Sequence, residues 1–544
     1  MAAPARNTLR DKAGEPPLRP PWRGAPGSHN DGAAGRGARL ARWGVIGVPA
    51  LLAGVLAAID LDARSLWLDE AATVSIASQH GAALAAAMAH DGGNMLGYYA
   101  LIHVLIGWFG DSVDVLRLPS VIGGAATTAF VAAIAMRLFD RRVAIAAGLL
   151  SAISLPAIYW AQNVRSYALM LAFVAASYLA LLALVEAESG RAVRRAGLAY
   201  VVAMTLAIYM SFVAVFVIPA QLVALVGHRR RTRAVIAVLL VVAGLCSPLA
   251  VLAAARGSGQ LFWVPRPDLR DVGQVAVALA SAGLQPNFHL TVTSLGLACA
   301  SVVAFAAAAG LVVAPVVRRV NPTRVRAELV VLAWLVVPAV VSFVESRLAQ
   351  PTFTARNLVV SLPAAAVLLA RVVCDQRLPR LVTAGLLASF VGLRAAQLVP
   401  TYGVSPENWR FATTSVLEKA EPGDCIAFYP LDGRMAFTYY LDHPVAIPAI
   451  IPRPVWPTTP LRRVLPYVER YTTPDAAALG KIVASCPRLW FVTSHEGSPR
   501  GTATSRANYA NYVFFLAELQ TRYLRSSLAT VGWASPIHIW QFGR

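Results

Sequence analysis

The chain of 544 residues reads as an α-helical polytopic membrane protein that ends in an extracytoplasmic α/β domain. Three observations predict this class. Hydrophobic residues make up 57% of the chain and charged ones only 14%, with a mean hydropathy of +0.58, well beyond a soluble composition. The formal charge of +20 comes almost wholly from arginine, because lysine occurs only at positions 12, 419 and 481. Those arginines gather in short clusters between apolar segments, as cytosolic loops do, and not along one face as in a nucleic-acid binder. Beyond residue 399 the apolar runs give way to alternating helix and strand patterns.

Each element follows in order. Residues 1–42, rich in Gly, Pro, Ala and Arg and without apolar periodicity, predict a disordered cytosolic tail. The run 43–60 has no clear cleavage signal after it and predicts a retained first span leading out. The segment 94–110, "NMLGYYALIHVLIGWFG", decides the topology. If it crossed, the later arginine clusters would fall outside. If it lies in the outer interface or re-enters it, then "RLFDRR", "GRAVRR", "HRRRTR", "RRVNPTRVR" and "RVVCDQRLPR" all become cytosolic. Spans are then expected near 117–137, 143–160, 165–186, 233–255, 291–316, 327–345, 354–373 and 380–398. At 1.5 Å per residue 196–227 reaches about 48 Å, short of two full crossings, so a tight hairpin turning near Met210 and Ser211 is expected. The total comes to about eleven spans, with outer loops at 61–116, 256–290 and 346–353 and everything after 399 outside. The domains are thus 1–42, 43–399 and 400–544.

In the last domain "ENWRFATTSVLEKAEPGDCIAFYP" reads as helix, turn and a strand beginning near Cys425, and "PDAAALGKIVASCPRLWFVTSH" repeats that order. A helix is expected over 507–524 and a strand pair over 528–542. Cys425 and Cys486 each open an apparent strand in an oxidising compartment. If those strands are parallel neighbours, the two thiols could come within disulfide range. Cys246 and Cys299, in spans, and Cys374, at a cytosolic end, are expected to stay free.

This topology sorts the polar residues. "SLWLDEAATV" puts Asp69 and Glu70 in the first outer loop, "YWAQNVRSYAL" carries Arg165 at an outward turn, and "QPTFTARNLVVSLP" carries Arg356 at another. Carboxylates and arginines at one depth suit a lipid phosphate together with an acceptor that needs a base. A lipid phosphate is already a competent leaving group, so the chemistry calls for a base and for cations and needs no acid. Asp69 can be the base, with Glu70 beside it to position the acceptor or Asp69 itself. Arg165 and Arg356 can hold phosphate through bidentate donors. Tyr159, Gln162, Tyr167 and His90 are candidate substrate-lining residues. The plain alternatives are a solvated acidic loop, arginines anchored among lipid headgroups, and an interfacial aromatic belt. His90 and His103 show no metal-ligand spacing, while a divalent ion at Asp69 and Glu70 stays open. No Gly-rich phosphate loop precedes a helix, which argues against the usual nucleotide-sugar domain.

"LWLDEAAT" followed by an interfacial helix, "RLPS" at 117–120, "AQNVRSYAL" and "FTARNLVVSLP" resemble the GT-C superfamily. Within it, the likeness is to family 39-type transferases: protein O-mannosyltransferases, the aminoarabinose transferase acting on lipid A, and envelope mannosyl- and arabinosyltransferases. The opening "ENWRFATTSVLEKAEPGD" resembles many bacterial members, and the likeness covers most of 43–430. It implies a polyprenyl-phosphate sugar donor, inverting transfer, and a catalytic carboxylate at Asp69. Two departures concern substrate: "HDGGNML" stands where many relatives carry His-Pro-Pro, and Arg356-Asn357 where an Arg-Tyr pair is expected. The expected function is transfer of a sugar, mannose first and arabinofuranose second, to an envelope glycan, glycolipid or protein. The expected setting is the plasma (inner) membrane, with lipids and no nucleic acid as partners. A lipid-linked sugar transporter or flippase is the rival class, disfavoured because the spans nearly lack ionisable residues in their middles. A scaffold protein is the third.

Overall fold

The computed structural model describes residues 32–226, 228–257, 261, 263–280, 322–375, 379–444, 448–462, 471–532 and 535–544. In the N-terminal unit, Met1–Gly44, residues 32–44 are helical and open α1 (Gly32–Ala58). The helix therefore begins earlier than the expected tail boundary at 42. Ala, Arg and Leu in "GAAGRGARLAR" are strong helix formers, and a helix nucleated in the apolar half extends through them readily.

The rest of the chain, from Val45, holds the other elements. α2 (Leu68–Ala77), α3 (Gly81–His90) and α4 (Leu96–Phe109) follow the first helix. α4 has 14 residues, about 21 Å, which is too short to cross a bilayer, and it leaves Val104, Trp108 and Phe109 exposed. α5 (Val113–Leu138), α6 (Arg141–Ala152), α7 (Leu155–Ala161), α8 (Tyr167–Glu186) and α9 (Gly190–Met210) form a packed bundle. α5 and α8 approach closely because Gly123 lies against the α8 backbone: a Cβ there would meet the Ala168 carbonyl carbon at 2.8 Å. α9 ends at Ser211 and the chain turns into short helical pieces, among them α10 (Val217–Gln221), where the hairpin was expected. α11 (Thr232–Arg256), α12 (Leu269–Ala280), α13 (Pro322–Leu348), α14 (Ala355–Leu358), α15 (Leu362–Val373) and α16 (Arg380–Leu398) follow.

Among the described residues six helices are long and apolar enough to cross a membrane: α5, α8, α9, α11, the 326–348 stretch of α13, and the 355–373 stretch that runs through α14 and α15. A seventh crossing exists if α6 and α7, bent by 58°, form one broken span. The protein is a multi-pass membrane protein. The expected total of eleven is not reached by these helices, and the expected span 291–316, with Cys299, lies outside the described residues.

The C-terminal portion contains α17 (Trp409–Lys419), β1 (Cys425–Tyr429), α18 (Gly433–Asp442), β2 (Arg453–Trp456), α19 (Ala476–Ser485), β3 (Arg488–Thr493), α20 (Ala503–Arg522), β4 (Arg525–Val531) and β5 (Ile537–Gly543). The strands form one mixed sheet in the order β2-β1-β3-β5-β4, with β1 parallel to both neighbours and β3, β5 and β4 antiparallel in turn. β1 and β3 are buried on both faces, as parallel central strands are. Ile426, Phe428, Trp490 and Val492 join the core that continues through α17 and α18 into the bundle. The alternate residues Cys425, Ala427, Leu489 and Phe491 pack on Leu479 of α19 and Phe515 and Leu519 of α20. Cys425 and Cys486 form a disulfide with their Cα atoms 5.8 Å apart, and Cys246 and Cys374 are free. β2 and α18 were not expected from the sequence.

Candidate active site

The loop 61–67 and the first turn of α2 sit between the bundle and the C-terminal portion, and both grip them. From the bundle, the Arg117 guanidinium donates to the Leu61 carbonyl (2.7 Å) and the Arg64 carbonyl (3.1 Å). Arg64 donates to Gln162 Oε1 at 2.6 Å and lies over the Tyr159 ring, 4.7 Å from its centroid. The Trp67 indole donates to Asn163 Oδ1 at 2.8 Å. From the other side, the Leu66 amide donates to the Tyr440 hydroxyl of α18 (2.6 Å), and the Leu68 amide to Glu407 Oε2 (2.9 Å). A loop whose polar groups are matched on both sides has little freedom, so the helix that follows starts from a fixed point.

Two adjacent acids leave this start in different directions. Glu70 is fully buried. Its carboxylate takes two parallel bonds from Arg117 (3.1 and 2.9 Å), one from the Val164 amide (2.6 Å), and one from the Trp67 amide (3.3 Å), which ties the first turn of α2 back to its own start. Asp69 keeps a third of its side chain exposed and meets two arginines from distant segments. Arg356 Nη1 donates to Asp69 Oδ2 at 3.0 Å, and Arg165 Nη2 stands 3.8 Å from the same oxygen. Arg165 also donates to the Asp69 carbonyl and to the Thr73 hydroxyl, each at 3.3 Å, and Arg356 stacks over Trp263 at 4.6 Å. Burial pushes the Asp69 carboxyl up, but Arg165, Arg356 and His495 together outweigh it and hold the group below the usual carboxylate range.

His495 comes from the turn that follows β3. Its backbone is left-handed (φ 56°), Nδ1 lies 2.7 Å from the Ser494 hydroxyl, and Nε2 pairs with Glu407 Oε1 at 3.2 Å. Burial works against its charge, yet Glu407, and after it Asp69 and Glu496, raise its pKa to about 9. Neither His495 nor Glu407 is singled out by local pattern. The only trace is a polar turn, "TSHEG", at the end of a strand buried on both faces.

The other expected site residues separate. Gln162 is buried, with its amide held by Arg64 on one side and donating to the Ile59 carbonyl (2.8 Å) on the other, so it belongs to the packing beneath the site. Tyr167 is buried against Trp160 (ring centroids 4.2 Å apart), while Tyr159 is half-buried under Arg64. His90 ends α3, next to Asp91, whose carboxylate accepts from the Tyr99 hydroxyl at 2.8 Å. A divalent ion shared by Asp69 and Glu70 does not fit these residues. The two carboxylates address different arginines, and such an ion would have to displace Arg117 or a backbone amide from Glu70, whose two oxygens are both taken.

Three comparisons bear on this arrangement. The family model for dolichyl-phosphate-mannose-protein mannosyltransferase matches residues 94–253. No curated protein matches the sequence. Among solved structures, ArnT from Cupriavidus metallidurans bound to undecaprenyl phosphate is 14% identical, with a TM-score of 0.52 over 92% of this chain and 98% of that one. The archaeal oligosaccharyltransferase AglB from Archaeoglobus fulgidus, in complex with an inhibitory peptide and a dolichol phosphate, is 14% identical, with a TM-score of 0.46 over 86% and 71%. The chain therefore shares the GT-C fold, carried by the ArnT likeness.

Proposed function

We propose that the protein is an integral-membrane inverting glycosyltransferase that moves a sugar from a polyprenyl-phosphate donor to a hydroxyl of an envelope glycan, glycolipid or protein. Its site would lie at the extracytoplasmic face of the plasma (inner) membrane. One observation carries the reading: Asp69, a partly exposed carboxylate on a rigid first turn, stands between two guanidiniums brought from two other segments. Undecaprenyl phosphate in the ArnT structure supports a polyprenyl phosphate as the carrier, and the description of the matching family supports mannose as the sugar ahead of arabinofuranose.

The residues can perform this transfer without a further group. In the free protein Arg165 and Arg356 neutralise Asp69. A donor phosphate arriving at the same guanidiniums would divide them between two anions, loosening their hold on Asp69 and raising its proton affinity at the moment a base is needed. The acceptor oxygen then forms its bond to the anomeric carbon from the face opposite the phosphate, and its proton passes to Asp69. The bond from that carbon to the phosphate oxygen breaks with its electron pair, and the extra negative charge falls on the phosphate beside Arg165 and Arg356. Glu70, saturated by Arg117 and two amides, acts in this reading by fixing Asp69 and touches no substrate.

Purified protein given polyprenyl-phosphate mannose and, separately, the arabinofuranose donor tests the proposal. Asp69→Asn keeps the shape and should lower turnover by about 10² to 10⁴ while donor binding persists. Wild-type turnover in that variant would overturn the reading.

A further inference from the structure

The C-terminal portion is more than a cover. β1 and β3 are parallel neighbours, and the chain leaves β1 towards β2 on one side while β3 lies on the other. In sheets of this type the crevice beyond the carboxyl ends, where the order reverses, is where ligands are held. Here the turn at the end of β3 carries His495, which meets Glu407, and Glu407 in turn holds the start of α2. The turn is built for this position. His495 takes a left-handed backbone, and Gly497 (φ +96°) follows with no room for a side chain, since a Cβ there would lie 2.8 Å from the Tyr509 amide nitrogen. Between them, Glu496 is pinned by His538 at 2.8 Å.

We propose that His495 is a positioning residue of the transfer site: as a cation it locks Glu407 onto the first turn of α2, fixing Asp69, and it supplies a third positive charge for the phosphate of the lipid-linked donor. The link is continuous. His495 Nε2 holds Glu407 Oε1 at 3.2 Å, while Glu407 Oε2 holds the amide of Leu68 at 2.9 Å, one residue before Asp69, and the Trp409 indole at 3.0 Å. The charge balance agrees. With Glu496 paired to His538, Arg165, Arg356 and His495 face Asp69 and Glu407, three cations against two carboxylates, which leaves one positive charge for a phosphodiester carrying one negative charge. When the sugar leaves, the phosphate gains a second negative charge beside an imidazolium. The groups that face His495 are Glu407 from the segment before α17, Asp69 from α2 and its neighbour Glu496, all acidic, so the ring keeps its proton through neutral pH and loses it as the pH rises through about 9.

This inference rests on the glycosyltransferase reading, and two variants separate the two. His495→Gln can still donate to Glu407 but carries no charge, whereas His495→Ala loses both. Wild-type kcat/KM should fall as the pH rises through about 9, and that limb should be absent in His495→Gln, which should run about tenfold below wild type at neutral pH. His495→Ala should lose about a further tenfold, mainly in kcat, because Asp69 is then held less firmly. A His495→Gln variant with the wild-type rate and the same alkaline limb would overturn the inference while leaving the reading intact, provided Asp69→Asn is inactive. If Asp69→Asn is itself active, the reading fails and the inference with it. Should His495→Ala fold poorly, the pH profile of His495→Gln decides alone.

Discussion

Asp69 and Glu70 are neighbours in sequence and opposites in setting. On the Asp69 side two guanidiniums from two segments converge on a carboxylate that water still reaches, and the His495 imidazole lowers its pKa further. On the Glu70 side a carboxylate, a guanidinium and two amides close on one another with nothing left over. A fully satisfied buried pair contributes rigidity and no chemistry, because any reaction would first have to break it. An ion cluster with exposed oxygen can exchange partners. The buried knot makes the exposed cluster possible, since an arginine pair offers useful geometry only to a carboxylate that cannot move away.

Breaking the knot should have the largest effect on stability. Glu70→Ala strands Arg117 without its partner in the interior and should cost about 3–5 kcal/mol, read as a lowered unfolding midpoint in detergent. If the midpoint does not move, Arg117 has found another partner and the two sides are less distinct than described. Arg356→Ala acts on the other side. It removes one of two guanidiniums from a partly exposed cluster, so stability should barely change while donor affinity falls by about 10- to 100-fold, the range of a charge-assisted bond. Titrating donor against the variant would show this.

The smallest effect belongs to a contact that joins the two portions of the chain away from the site. His443 Nε2 pairs with Asp111 Oδ1 at 3.0 Å, which raises the imidazole pKa and lowers the carboxyl pKa. The histidine contribution is complete below the ordinary imidazole value and is lost as the pH rises through the raised one. The aspartate contribution is present above the ordinary carboxylate value and is lost as the pH falls through the lowered one. Asp111→Asn should therefore cost most between those two ordinary values, and less than about 1 kcal/mol because both groups are more than a third exposed. Unfolding midpoints of both proteins across that range would show the difference fading on the alkaline side.

Much of this was legible in the sequence, for physical reasons. Arginine clusters and span lengths put 61–70, 159–169 and 350–363 at one depth, because a bilayer turns hydropathy into geometry. The short α4 and the break at Ser211 follow from the same arithmetic. Helix and strand alternation over 409–543 was readable because each segment keeps its own period, and the parallel pairing of β1 and β3 brings Cys425 and Cys486 together as that order allowed. β2 was hidden because "RPVW" is four residues with a proline, tolerable only at the sheet edge where it lies. The role of "RLPS" was hidden too. Its Arg117 serves as the partner of Glu70, and the Ser120 hydroxyl donates to the Asn163 carbonyl at 2.6 Å, contacts across 47 and 43 residues that no local pattern records. His495 and Glu407 lay furthest from view, because they meet across the C-terminal portion and reach the site only through a bond from Glu407 to a loop more than 330 residues away.

The split between the two acids is tested most directly by measuring turnover and unfolding midpoint together for Asp69→Asn and Glu70→Ala, scaled to the folded fraction. Asp69→Asn should unfold like the wild type and transfer almost no sugar, while Glu70→Ala should unfold early and keep measurable transfer per folded molecule. The reverse pattern, an active Asp69→Asn beside a stable but inactive Glu70→Ala, would contradict the account.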